Sequence, residues 1–138
     1  MKIKPNITSK SLDKKYGKHK DECGFASFLS REDAALKVKI RNSNWSVILG
    51  DTQDCVLEGN LGMCCYMQNE LHIAKNAKKD MRVETFYHEL SHAILAESHY
   101  NVIIKEYLGD KYELFVSNLG DVIQNMNWEN VKKISKEI

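Results

Sequence analysis

The stretch Phe86-Tyr87-His88-Glu89-Leu90-Ser91-His92 holds two histidines four positions apart, with a glutamate directly after the first. On a helix, at about 100° per residue, His88 and His92 stand about 40° apart around the axis and one turn apart along it. Both imidazoles then leave from one side and can reach a single metal ion at about 2.0–2.1 Å. Glu89 is turned too far round the helix to be a comfortable third ligand. Its carboxylate reaches instead the open coordination position, where a zinc-bound water has its pKa lowered toward about 7 and a neighbouring base can take the proton. The spacing H-E-x-x-H therefore fits zinc-dependent hydrolysis, with one Zn2+ per chain, His88 and His92 as ligands and Glu89 as general base.

A catalytic zinc takes three protein ligands. A third histidine six positions after His92 is absent, because position 98 is Ser98, and Leu95 stands where such a pattern carries glycine. His99 misses that position by one. Glu97 lies about 140° around the same helix from His92 and points elsewhere. The remaining acidic candidates fall on the next helix: Asp110, Glu113 and Asp121. Glu113 is the best placed, far enough from His92 for the chain to turn and lay a second helix against the first. Asp110 reads as a helix N-cap with Glu113 as its reciprocal partner, and Asp121 comes two turns later. Tyr66, Tyr100, Tyr112 and His99 could each donate to an oxyanion, and spacing does not choose among them. His72 reads as structural.

These residues need elements to hold them. From about Lys78 to Glu97, Val83, Phe86, Tyr87, Leu90, Ala93 and Ile94 recur at helical spacing without glycine or proline, so the motif falls in a long amphipathic helix. Val102 to Leu108 predicts a short helix stopped by Gly109. A further helix from about Lys111 to Met126 presents Tyr112, Phe115, Leu119, Val122, Ile123 and Met126 as its apolar stripe, with Glu113 off that stripe. Trp128, Val131 and Ile134 suit a final docked turn. In the first half, Ser30 could cap a short helix that leads into the alternating strand Leu36–Ile40. Asn42-Ser43-Asn44 reads as a turn, Trp45 to Leu49 as a strand, and Glu58 to Gly62 as a loop. Met63–Met67 and Glu70–Ala74 read as a hairpin around Gln68-Asn69. The expected class is α+β, a small, mainly antiparallel sheet beside helices, in a single domain over 1–138.

Composition agrees with a globular domain: 138 residues, 43% hydrophobic, 28% charged, net charge +1. No apolar run approaches the roughly 20 residues that span a bilayer. The opening MKIKPNITSK lacks the apolar stretch of a secretory signal, which points to the cytoplasm of a bacterial cell or phage-infected host. Residues 1–20 carry seven lysines against Asp13, and 1–22 read as a solvated basic arm. With Tyr16 alone among aromatics there, the arm is a poor base-stacking platform, so nucleic acid is not the expected partner. Cys23, Cys55, Cys64 and Cys65 form no C-x-x-C pair and are expected as free thiols.

The segments E-T-F-Y-H-E-L-S-H-A-I-L and, after a gap, Y-E-L-F-V-S-N-L-G-D-V-I resemble the small bacterial and phage metallopeptidases related to the ImmA/IrrE group. The hairpin G-M-C-C-Y-x-x-x-E-L-H-I, residues Gly62 to Ile73, is similar to the strand pair that precedes their active-site helix. The resemblance covers about residues 45–126; HELSH is specific to zincins in general, and E-x-F-V is less so. It implies a minimal gluzincin-like fold in which a short twisted sheet packs on an active-site helix and a glutamate-bearing helix. It implies zinc on His88, His92 and Glu113, Glu89 as base, and a peptide or protein as substrate. A different expectation is a non-catalytic zinc-binding regulator or adaptor of phage or mobile-element origin; a closed fourth ligand, such as His99 or a cysteine, would mark it.

Overall fold

The structure is a computed structural model and describes residues 36–52 and 56–138. The expected arm over 1–22, the helix capped by Ser30, Cys23 and Cys55 lie outside the described residues. Four strands, β1 (Lys37–Ile40), β2 (Ser43–Gly50), β3 (Gly62–Cys65) and β4 (Glu70–Ala74), form one sheet in the order β1-β2-β4-β3. The helices are α1 (Lys79–Ser98), α2 (Asn101–Leu108), α3 (Tyr112–Gln124) and α4 (Glu129–Glu137), with a 3-10 turn at Gly109–Lys111 before α3. The class is α+β.

The sheet is mixed. The outer pairs β1/β2 and β3/β4 are antiparallel, but the central β2/β4 pair is parallel, with Val47 opposite Leu71 and Leu49 opposite Ile73. The expectation of a mainly antiparallel sheet came from local hairpin signals. A parallel pair joins strands distant in the chain and leaves no short-range mark. β4 is buried at all five positions, as a central strand covered on both faces should be. Leu71 and Ile73 join the core with Phe86, Leu90 and Trp45. On the opposite face, buried Glu70 meets His72 at 2.9 Å, so His72 has a structural partner.

Turn positions differ from expectation by one or two residues. The first hairpin turns at Arg41-Asn42, with Arg41 at φ 55°, so Ser43 and Asn44 belong to β2. Cys65 pairs with Glu70, so the second hairpin has a four-residue loop, Tyr66 to Asn69, which leaves Tyr66 and Met67 exposed. Adjacent Cys64 and Cys65 are free, the first buried and the second half-buried.

Helix α1 is the hub. It buries Phe86, Tyr87, Leu90 and Ala93, among others, between the sheet and α3. Its end is tied to the first hairpin: Glu97 accepts from Trp45 Nε1 at 2.9 Å and from Ser43 Oγ at 3.2 Å, and its carbonyl accepts from Arg41 at 2.8 Å. Glu97 thus points away from the histidines, as its place on the helix requires. α4 docks through Val131 and Ile134.

The buried face of α3 is not the expected stripe. Tyr112, Val116, Gly120 and Ile123 face inward, whereas Phe115, Val122 and Met126 are exposed. Gly120 explains the rotation. A Cβ there would lie 3.1 Å from the Tyr87 carbonyl oxygen, so only glycine lets the two backbones approach this closely. Hydrophobic periodicity weighs side chains and cannot see a contact made by the lack of one. The cap of α3 also differs: Lys111 holds the N-cap position, no side chain caps it, and Asp110 sits in the preceding 3-10 turn.

Candidate metal centre

His88 and His92 lie on consecutive turns of α1, with ring centroids 5.0 Å apart. α3 crosses them so that Glu113, in its first turn, brings Oε1 to 3.0 Å from His88 Nε2 and 3.4 Å from His92 Nε2. Ligand atoms about 2.0–2.1 Å from a tetrahedral ion stand about 3.3 Å from one another, so this donor set fits a divalent metal. One atom from each of the three residues falls within 4.8 Å of the others, and among the described residues the group has these three members.

The alternatives lie elsewhere. His99 terminates α1 in a left-handed conformation, φ 66°, with its N–H on the Ala96 carbonyl. Asp110 is exposed in the 3-10 turn, and Asp121 is exposed two turns beyond Glu113. Among the described residues neither they nor Cys64 and Cys65 join the group.

The far nitrogens of both imidazoles are held. His88 Nδ1 lies 3.0 Å from Ser117 Oγ. His92 Nδ1 lies 3.3 Å from the Tyr112 hydroxyl and 3.5 Å from that of Tyr66. An imidazole that donates through Nδ1 keeps Nε2 free for a metal, and such partners fix ring orientation. Ser117 was not anticipated from the sequence. Its signal was available: it lies four residues after Glu113 and so shares its helix face. Burial holds the His92 pKa below the usual histidine value, with the Glu113 carboxylate opposing.

Glu89 is 8% exposed, and its carboxyl makes no hydrogen bond among the described residues. Burial, reinforced by the Glu113 carboxylate, pushes it up to about 7. β3 is the neighbour that covers it. At Gly62 a Cβ would strike Thr85 Cγ2 and come within 2.9 Å of Glu89 Cγ, so glycine lets the edge strand lie against the motif. Burial also raises the pKa values of Cys64 and Tyr66 above their usual ranges, which keeps both neutral. A second cavity-facing phenol, Tyr112, is raised for the same reason.

None of the helices among the described residues is long and apolar enough to cross a membrane. Comparison of the chain with protein-family models, curated proteins and solved structures finds no match.

Proposed function

We propose that this chain is a zinc-dependent peptidase with a minimal zincin-like arrangement, as the resemblance to the ImmA/IrrE group implies. The observation that carries the reading is the convergence of His88, His92 and Glu113 on one point, with the unpartnered Glu89 carboxyl beside them in a cleft. Three donors with a base alongside suit turnover better than a closed structural site. Zinc held by His88, His92 and Glu113 supplies Lewis-acid polarisation of a peptide carbonyl and acidifies water at neutral pH. Glu89 takes the proton of the attacking water and passes it to the departing amine nitrogen. A carboxyl at about 7 is matched to both halves of that transfer. Ser117 and Tyr112 act through the histidines, by holding the tautomer that leaves Nε2 free.

The test is zinc per chain in protein purified without chelator, wild type beside Glu113→Ala. The expected result is one zinc in wild type and clear loss in the variant. Peptide hydrolysis by wild type should then fall on the order of 100- to 10,000-fold in Glu89→Gln while zinc is retained. Absence of zinc from wild type after reconstitution would sink the reading. Zinc without turnover would leave a binding protein rather than an enzyme.

A further inference from the structure

The centre stands between two cavities of unlike chemistry. The first, of about 470 Å³, is bounded by α1, α3 and the start of β3. Besides His88 and Glu89, its ionisable lining is Glu84 from α1 and Asp121 from α3, with no lysine or arginine. Neither of those carboxylates forms an ion pair or hydrogen bond among the described residues. The second, of about 570 Å³, is lined chiefly by apolar and aromatic groups, including Met63, Tyr66, Val102 and Tyr112. Its cation is Lys105, whose Nζ lies 5.7 Å from the Tyr112 ring centroid.

Glu89 lines both cavities. Its carboxyl is nine-tenths buried and unpartnered, so it opens onto a place meant to be filled. An extended chain laid across it advances about 3.3 Å per residue and sends successive side chains apart. Residues flanking the bond at Glu89 therefore reach different cavities. A cationic side chain finds two free carboxylates in the first cavity and is opposed by Lys105 in the second. A bulky apolar one finds the reverse fit. Attraction on one side and repulsion on the other is what sharpens selection.

We infer that the cleft selects peptides carrying lysine or arginine on one side of the bond presented to Glu89 and a bulky apolar residue on the other. The inference rests on the peptidase reading for the words "bond presented", but the groove's selectivity can be measured without turnover.

The experiment uses the full chain carrying Glu89→Gln and labelled octapeptides followed by fluorescence anisotropy. Their central pairs are Arg-Leu, Glu-Leu and Arg-Ser, each in both orders. In at least one order, Arg-Leu should bind about tenfold tighter than Glu-Leu and also tighter than Arg-Ser. Adding Glu84→Lys and Asp121→Lys should reverse the charge preference. The milder pair Glu84→Gln and Asp121→Asn should abolish it, which guards against a misfolded charge-reversal variant. Equal affinity for Arg-Leu and Glu-Leu, or for Arg-Leu and Arg-Ser, overturns the inference. So does a charge preference that survives both sets of substitutions, or no measurable binding of any peptide. The two readings fail separately. Cleavage by wild type without this selectivity overturns the inference and spares the peptidase. Selective, reversible binding without cleavage overturns the peptidase and spares the groove.

Discussion

Glu89 is a carboxyl buried beside another carboxylate, and burial disfavours its ionised form. That has a consequence for stability in metal-free protein. Its pKa rises from 4.5 to about 7 on folding, so between those values the native state holds a proton that the unfolded chain has released. The slope of unfolding free energy with pH follows protons bound in the unfolded state minus those in the native state, and here it is negative. This contribution is full below about pH 4.5 and is lost as pH rises through about 7. Urea unfolding in chelator should show Glu89→Gln gaining on wild type between pH 5 and pH 8, by at most about 3 kcal/mol. A constant difference across that range would show that Glu89 titrates normally. The two histidines and Glu89 were legible because the helix period alone places them. Ser117 and Tyr112 were not assigned to the imidazoles, because which groups meet a ring nitrogen depends on how α3 crosses α1.

At the scale of elements, the α1–α3 contact decides whether Glu113 reaches the histidines. Gly120 sets that distance, with Tyr87 as the opposing backbone. Gly120→Ala should cost about 1–3 kcal/mol through overpacking. It should also weaken zinc binding, because Glu113 rides on the helix that is pushed away. Denaturant midpoints and zinc titration check both effects together. A stability loss with unchanged zinc affinity would show that α3 pivots about its first turn rather than shifting. The element inventory was largely readable: α1 and α2 begin and end within about two residues of their expected bounds. The inward face of α3 was not, because the apolar stripe through Phe115 and Val122 is broader than the face that packs.

The molecule as a whole joins its metal donors across two helices, so the donor set exists only when α1 and α3 are packed. A metal that binds this native arrangement and not the unfolded chain stabilises folding by mass action, about 4 kcal/mol at a free concentration 1,000 times Kd. Added zinc should therefore raise the urea midpoint of wild type and leave that of His88→Ala nearly unmoved. A wild-type midpoint indifferent to zinc would mean that the three donors do not act as one site. Glu97 works at the same scale, since it fastens the far end of α1 to Trp45 and the β1–β2 hairpin. Its separation from the histidines was predictable from helix geometry, but its partners were not.

What the sequence by itself determined is whatever a local period dictates: a helix through residues 79–98, two histidines on one side of it, a glutamate beside them, and strands on either side of polar turns. The third donor was narrowed by sequence to Asp110, Glu113, Asp121 or His99. Only the tertiary structure brought Glu113 to the pair, because convergence depends on a crossing set by Gly120 and Val116 rather than on spacing. The parallel β2/β4 pairing was likewise a tertiary decision. Contacts between segments distant in the chain leave no periodic trace in either one, and the two cavities flanking Glu89 are built entirely from such contacts.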